Sequence, residues 1–168
     1  MKIYAISDTH FGHEKLVTLS NRPEDFTKRI LRALQDVKGD VLIHCGDFCI
    51  GKDEYWHEQF RIHTFGQYKK KILVRGNHDG KSDSWYYDHG WDFVCTSFTH
   101  TFYGKNIVFT HIPILQTDKF DFNVHGHLHG NNHRHQDKHA ALYNREWHRD
   151  LAPEIHNYKP VSLESILT

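Results

Sequence analysis

Apolar and polar positions alternate along the first half of the chain in a pattern that predicts strand, helix, strand, helix and strand. An apolar run predicts a buried strand over residues 2–7, and a helix begins at Arg22 with apolar side chains on one face. Apolar runs over 41–44 and 72–74 predict two further strands, with a second helix over 54–68 between them. The apolar face of the first helix consists of Phe26, Ile30, Leu34 and Val37. Strands that alternate with helices favour parallel pairing with right-handed crossovers.

The second half of the chain predicts consecutive strands with no helix between them. A polar stretch over 80–90 precedes these strands, and a hairpin turn is expected over 103–106. The predicted strands lie over 92–98, 99–103, 106–110, 120–124 and 158–161. Residues 131–148 show no clear periodicity, and no internal repeat or flexible linker divides the chain. A single domain over 1–168 with an α/β or layered β fold is therefore expected.

Five separated segments place metal-ligating side chains directly after apolar runs. They are Asp8-Thr9-His10, Gly46-Asp47, Gly76-Asn77-His78-Asp79, Thr110-His111 and Gly126-His127-Leu128-His129-Gly130. Any one of them alone is equally compatible with a tight turn that carries a solvated polar side chain. The Asp-x-His and His-x-His spacings allow both side chains of a pair to lean to one side of a strand end and share a cation. The five segments together indicate a two-metal hydrolase.

Composition and charge indicate which kinds of molecule the protein can bind. The 168-residue chain has 21 lysine and arginine residues and 21 aspartate and glutamate residues, so it lacks the basic excess that binds long nucleic acid. A small substrate is therefore favoured. The first residues show no leader pattern and no segment is apolar enough to span a membrane, which predicts a cytoplasmic protein. The charge run Lys69-Lys70-Lys71 predicts a solvated loop between helix and strand.

The numbers of histidines and cysteines in the chain are also informative. The chain has 17 histidines, more than packing alone would explain. Its three cysteines, Cys45, Cys49 and Cys95, are odd in number and lack the spacing of a zinc finger. They are therefore expected to be reduced thiols that pack as small apolar side chains.

The order of the five motifs resembles the calcineurin-like metallophosphoesterase superfamily over residues 3–130. Residues 6–13 and 158–163 further resemble a compact bacterial and phage subgroup of predicted phosphoesterases. The resemblance implies an α/β (α+β) fold in which two β-sheets form a sandwich flanked by helices. It also implies a centre of two divalent transition-metal ions. In that centre Asp8, His10 and His129 would hold one ion, Asn77, His111 and His127 would hold the other, and Asp47 would bridge the two.

The expected chemistry follows from two adjacent ions. Manganese is the expected metal, with iron, zinc or nickel as alternatives, because aspartate, asparagine and histidine ligands suit all of these ions. Two such ions lower the pKa of a bridging water, so that hydroxide is available to attack a phosphoester. His78 cannot easily ligate the same ion as its neighbour Asn77, which leaves it free to protonate the leaving oxygen. His78 is therefore the expected catalytic residue.

A departure from the superfamily narrows the expected substrate. Its protein phosphatases follow Gly-Asp with a further aspartate and an arginine that hold a phosphate dianion, whereas residues 46–51 here read Gly-Asp-Phe-Cys-Ile-Gly. A small phosphodiester such as a cyclic nucleotide is therefore expected ahead of a phosphomonoester. A nuclease shares this chemistry, but the neutral charge counts against long nucleic acid. A non-catalytic metal-binding scaffold is the alternative from a different class, and the full ligand set disfavours it.

Further polar residues near the motifs carry weaker signals. His13 is expected to contact the substrate or to support a ligand. His44 and His125 either orient the ligand-bearing segments through hydrogen bonds or are ordinary polar residues at strand ends. Arg75 is a candidate for phosphate contact because it precedes Gly76. The polar, histidine-rich stretch 131–139 is expected to be a solvated loop rather than a lid over the substrate.

Overall fold

Nine β-strands and five α-helices form the fold in the computed structural model, which describes residues 1–131 and 139–168. The strands are β1 (Ile3–Ile6), β2 (Gly39–His44), β3 (Tyr68–Val74), β4 (Phe93–Cys95), β5 (Ser97–Phe102), β6 (Lys105–Thr110), β7 (Phe122–His125), β8 (His148–Asp150) and β9 (Val161–Ser162). The helices are α1 (Leu16–Leu19), α2 (Phe26–Asp36), α3 (Asp53–His63), α4 (Asp83–Asp88) and α5 (Leu163–Ile166). None of these helices is long and apolar enough to cross a membrane.

The strands form two sheets. The first has the order β4-β3-β2-β1-β9, in which β1 to β4 are parallel and β9 runs antiparallel to β1. The second has the order β5-β6-β7-β8, with an antiparallel β5–β6 hairpin and parallel pairs from β6 to β8. The parallel pairing expected for the first half of the chain is confirmed.

Two apolar cores hold the layers together. One lies between the sheets and is formed by Ile3, Ala5, Ile43, Val74, Ile107, Phe109 and Val124, among others. The other lies between the first sheet and the helices, where α2 and α3 pack on the buried side chains of β2 and β3 through Ile30, Leu34 and Phe60. A parallel sheet requires such cover on both faces. This confirms the expected pair of sheets flanked by helices.

The lysine run is not a loop. The helix α3 ends at His63, earlier than predicted, and β3 begins before the lysines, so the prediction of a solvated loop at 69–71 is wrong. Within β3 the Nζ of Lys69 lies 2.6 Å from Asp40 Oδ1, and the Nζ of Lys70 lies 3.0 Å from Asp92 Oδ1. Lys69 and Lys70 therefore pair with carboxylates at the neighbouring strands.

The hydrophobic pattern of the sequence does not predict one helix and one strand. The polar stretch 80–90 contains α4, where the Ser82 hydroxyl accepts a hydrogen bond from the backbone N–H of Trp85 at 3.2 Å and Tyr86 is buried. Such a capped helix of one or two turns is too short to show periodicity. The strand β8 is polar throughout, and only its parallel pairing with β7 makes it a strand.

Candidate metal centre

Loops from both sheets meet at the carboxyl ends of the central strands. The backbone N–H of Asp8, after β1, donates to the carbonyl of Gly46, after β2, at 2.9 Å. The N–H of His10 donates to the carbonyl of Asp47 at 3.0 Å, so these two loops run side by side. The second sheet joins them at His127, whose N–H donates to the Asp8 carboxylate at 2.9 Å. The five motifs that are separate in sequence therefore share one edge of the sandwich.

Most of the residues predicted as metal ligands have a strained backbone. The seven residues that meet here are Asp8, His10, Asp47, Asn77, His111, His127 and His129. Five of them, Asp8, His10, Asp47, His127 and His129, have a left-handed φ between 44° and 71°. A non-glycine residue in such a conformation costs on the order of 1–3 kcal/mol, and this strain concentrates at functional sites. The surrounding hydrogen bonds therefore maintain an arrangement that the local backbone does not favour.

One group of donor atoms surrounds the Asp8 carboxylate. The Nε2 of His129 lies 3.6 Å from Asp8 Oδ1, and the Nε2 of His10 lies 3.8 Å from the same oxygen. The imidazole rings of His10 and His129 stack with centroids 5.2 Å apart. These three residues offer atoms that all lie within 4.8 Å of one another, a spacing that one cation could span.

A second group surrounds the ring of His111. Its Nε2 lies 3.4 Å from Asp47 Oδ2 and 3.1 Å from Asn77 Oδ1, and the Nδ1 of His127 lies 3.3 Å away. Because His111 Nδ1 donates to the carbonyl of Cys45 at 2.8 Å, Nε2 is the ring nitrogen that faces the other donors. Asp8, Asp47 and His111 also offer atoms within 4.8 Å of one another. The two groups are therefore contiguous.

Three of the donor atoms at the centre are buried without a hydrogen-bond partner in the part of the chain that the structure describes. They are both ring nitrogens of His10 and the Oδ2 of Asp47. Burying such groups unpaired is costly. Carboxylate and amide oxygens together with imidazole nitrogens are a donor set that suits divalent manganese, iron or zinc. The residues present therefore fit the divalent metals that the five motifs predict.

The local charges favour a positive ion at this position. Burial lowers the pKa of His111, but the Asp47 carboxylate, 3.4 Å from Nε2, and the charge of Asp8 outweigh burial and raise the pKa to about 9. Burial raises the pKa of Asp47, but the neighbouring His111 and His10 hold it well below its usual range. The carboxylates of Asp8 and Asp47 thus stabilise positive charge at this position.

His78 lies at the solvent-facing margin of the centre. Its side chain is 41% exposed, and its Nε2 lies 3.9 Å from Asp47 Oδ2. Its backbone N–H donates to the other oxygen of the same carboxylate, Asp47 Oδ1, at 2.9 Å. The backbone is therefore fixed to the centre while the imidazole remains accessible to a substrate.

Two further histidines bond to the backbone of ligand-bearing loops. The buried ring of His44 bonds through Nε2 to the Thr9 hydroxyl at 3.0 Å and through Nδ1 to the N–H of Gly46 at 3.2 Å. His125 Nδ1 donates to the carbonyl of Gly126 at 2.8 Å. Burial lowers the pKa of both rings to about 3, so both are neutral at ordinary pH. These contacts favour an orienting role for both residues.

The other weakly predicted residues differ in their surroundings. His13 is half-buried, with its ring 5.6 Å from that of His10. Arg75 is already engaged, because its guanidinium donates to the carbonyl of Asp79 at 3.0 Å and to the carboxylate of Asp83 at 2.9 Å. The role of His13 in contacting the substrate or supporting a ligand stays a prediction. The contact of Arg75 with phosphate also stays a prediction. The expected solvated loop falls largely on 132–138, which lie outside the described residues.

Asp79 joins two ligand loops, a role that the sequence did not indicate. Its Oδ2 accepts from the N–H groups of Asp47 at 2.9 Å and Gly76 at 2.8 Å, and its Oδ1 accepts from Phe48 at 3.0 Å. A Cβ on Gly76 would collide with the Asp47 carboxylate, so only glycine permits this approach. Asp79 is the last residue of the Gly-Asn-His-Asp motif, but the motif does not indicate that its carboxylate bonds to the loop that carries Asp47.

Arg22 and Glu154 form a buried support that sequence reasoning missed. The guanidinium of Arg22 donates to the carbonyl of Asp8 at 2.8 Å and to Glu154 Oε1 at 2.8 Å. The same carboxylate oxygen lies 2.9 Å from His129 Nδ1. Because a carboxylate accepts, Nδ1 carries the proton and Nε2 is left to face Asp8. Arg22 and Glu154 are 132 positions apart, so no local pattern connects them.

Replacing Glu154 with glutamine is expected to weaken metal binding by about 10- to 100-fold, because the change removes the charged acceptor that orients His129. Competition with a fluorescent chelator measures the affinity. Glu146→Gln is the matched control, since Glu146 is exposed. Equal affinities for the two variants would show that Glu154 does not orient the ligand.

Comparison with known proteins agrees with this geometry. A sequence model described as calcineurin-like phosphoesterase matches residues 1–164, nearly the whole chain. The chain belongs to the calcineurin-like phosphoesterase family. Membership in this family indicates a metal-dependent hydrolase that acts on phosphoesters, and the predicted superfamily and fold are confirmed. The bacterial and phage subgroup and the single domain over 1–168 stay predictions.

Individual proteins are similar to this chain in sequence or in fold. An uncharacterized protein of Methanocaldococcus jannaschii is 28% identical over 174 residues, which cover 99% of this chain and 89% of that protein. A protein of unknown function from Aquifex aeolicus has the same fold, with 25% identity, a TM-score of 0.75 and coverage of 98% of this chain and 97% of that one. The phosphoesterase YfcE from E. coli is more distant, with 16% identity, a TM-score of 0.49 and coverage of 77% and 70%.

Proposed function

We propose that this member of the family is a cytoplasmic, dinuclear metal-dependent phosphodiesterase that hydrolyses a small phosphodiester such as a cyclic nucleotide. One observation supports the proposal most directly. A single buried carboxylate oxygen, Asp47 Oδ2, lies 3.6 Å from His10 Nε2 and 3.4 Å from His111 Nε2, so it faces both groups of donors. That position suits a bridge between two cations.

The proposed ligands divide as the two groups of donors do. Asp8, His10 and His129 would hold one ion, Asn77, His111 and His127 the other, with Asp47 between them. Manganese is the proposed metal, with iron, zinc and nickel as alternatives. When bound, two such ions lower the pKa of a water and withdraw charge from the phosphoryl oxygens.

The chain's own groups supply the remaining steps. The hydrogen bonds of Asp79 and Glu154 keep the donors in place without a change of position during the reaction. His78 would donate a proton to the leaving oxygen as its bond to phosphorus breaks, since its accessible ring lies beside the centre. No side chain is required as a nucleophile.

Two arginines near the centre are already bonded to other groups, which favours a diester over a monoester. A monoester dianion carries a second charge that calls for a positively charged side chain. Arg22 is buried and bonded to Asp8 and Glu154, and Arg75 is bonded to Asp79 and Asp83. Neither guanidinium is available without breaking these bonds. A diester with one negative charge needs no such side chain.

A side-by-side assay tests the proposal. After reconstitution with Mn²⁺, the protein is expected to cleave bis-p-nitrophenyl phosphate with a higher kcat/KM than p-nitrophenyl phosphate. Removal of the metal with a chelator should abolish both activities, and added Mn²⁺ should restore them. Cleavage of the monoester alone would contradict the diester preference. Activity that survives complete metal removal would contradict the metal centre.

A further inference from the structure

A cleft of about 1210 Å³ between α2 and α3 opens beside the metal centre. Gly12 and His13 form its inner end, and the ring of His13 lies 5.6 Å from that of His10. Tyr55 and Trp56, from the first turn of α3, line its wall. The cleft is therefore continuous with the loop that carries the first two proposed ligands, and it is large enough for a nucleoside.

Trp56 is built into this wall. Its indole stacks on the buried ring of Phe11 at 5.8 Å with an interplanar angle of 24°, and it lies against Gly12, where a Cβ would collide with it. The ring of Tyr55, which is 51% exposed, packs edge-on against the indole at 4.9 Å. One aromatic side chain is thus held rigid next to the metal loop and a second is accessible beside it, an arrangement that suits stacking with a planar ring.

The charges of the cleft restrict what it can accept. Its charged lining consists of Glu14, Glu24, Asp25, Asp36, Lys28 and Arg32. Arg29 pairs with Asp25 at 2.7 Å and Arg32 lies 3.9 Å from Asp36, so the lining offers no positive excess. Further phosphates would be unfavourable there, whereas an uncharged aromatic group would not.

We infer that the cleft binds the uncharged nucleoside part of the substrate, with its base stacked on Trp56 and Tyr55 and its phosphodiester placed over the metal centre. This inference rests on the proposed function and specifies its substrate class as a diester that carries one nucleoside or more without additional phosphates. Base–aromatic stacking of this kind changes affinity by about tenfold per base.

Binding can be tested without catalysis. The Zn²⁺-loaded protein is titrated with adenosine, which has no phosphate, and the indole N–H signals of Trp56, Trp85, Trp91 and Trp147 are followed by NMR. The Trp56 signal is assigned by its loss in Trp56→Phe. Adenosine should shift the Trp56 signal but not those of the buried Trp91 and Trp147, and ribose should shift none. No Trp56 shift up to the solubility limit of adenosine would overturn the inference.

Selectivity provides a second test with an internal control. Thymidine 5′-(p-nitrophenyl phosphate) and methyl p-nitrophenyl phosphate share a leaving group and differ only in the nucleoside. The ratio of their kcat/KM values should fall about tenfold in Trp56→Ala and less in Trp56→Phe. Tyr55→Ala should also lower the ratio. Because Tyr55 is half-exposed, this variant tests the cleft even if Trp56→Ala does not fold. Phe65→Ala, at a position 85% exposed outside the cleft, should not change the ratio.

The two proposals fail in different ways. An unchanged ratio in Trp56→Ala and Tyr55→Ala would overturn the nucleoside cleft while leaving phosphodiesterase activity intact. Hydrolysis of neither ester, together with an adenosine-dependent shift of Trp56, would overturn the proposed phosphodiesterase but retain the cleft as a nucleoside site.

Discussion

Asp47→Asn is expected to lower kcat/KM for bis-p-nitrophenyl phosphate by at least about 10³-fold, because the substitution removes the charge of the carboxylate that faces both groups of donors. The side chain keeps its shape, and its Oδ1 can still accept from the N–H of His78. The loop should therefore remain in place while the bound metal decreases. Elemental analysis of the purified variant after reconstitution with Mn²⁺ measures that decrease directly.

The control for this experiment is Asp118→Asn, which makes the same chemical change at an exposed position. It should retain the activity and metal content of the unchanged protein. Full metal content and unchanged activity in Asp47→Asn would contradict the bridging role of Asp47 and the metal-dependent mechanism that rests on it. Full metal content without activity would instead assign Asp47 to the chemistry rather than to metal retention.

The arrangement of the strands was predictable because it follows from chain order and strand direction. Parallel strands joined by crossover helices deliver their carboxyl ends to one edge, so Asp8, Asp47 and Asn77 were expected to approach one another. The second sheet adds His111 and His127 by the same principle, since β6 and β7 are parallel. The periodicity of the apolar residues therefore placed each proposed ligand after a strand, whereas the grouping of the ligands around two ions was what the family resemblance implied.

The hydrogen bonds that hold the proposed metal ligands in place were not predictable from the sequence, because they depend on contacts between distant segments. Glu154 lies in a 3₁₀ turn near the end of the chain and reaches His129 only because β8 is placed beside β7. That strand is polar and gives no hydrophobic signal. The left-handed backbone of residues such as Asp8 and His10 is equally hidden, since most aspartates and histidines in proteins still have a negative φ.

The lysine run shows how tertiary contacts override a local charge pattern. Three consecutive lysines are typical of a solvated loop, yet here they continue a central strand. Asp40 and Asp92 supply carboxylates at 2.6 Å and 3.0 Å from the ammonium groups of Lys69 and Lys70. The neighbouring strands thus supply charges that the local sequence does not reveal.

His78→Ala is expected to reduce kcat by an amount that depends on the leaving group of the substrate. A cyclic nucleotide expels a sugar alkoxide, which needs a proton, so its kcat should fall by about 10²- to 10³-fold, the range of general acid catalysis. p-Nitrophenolate leaves without protonation, so kcat for bis-p-nitrophenyl phosphate should fall by less than about tenfold. Metal content should be unchanged, because the bond to Asp47 comes from the backbone N–H, which alanine retains. Steady-state kinetics on the two substrates measures the difference.

His100→Ala is the matched control for this variant, since His100 is an exposed histidine on β5. It should leave both substrates unaffected. An equal loss with both substrates in His78→Ala, accompanied by loss of metal, would make His78 a ligand or a support rather than an acid. A loss confined to the alkoxide substrate, with metal content unchanged, would instead mean that the imidazole acts on the leaving oxygen.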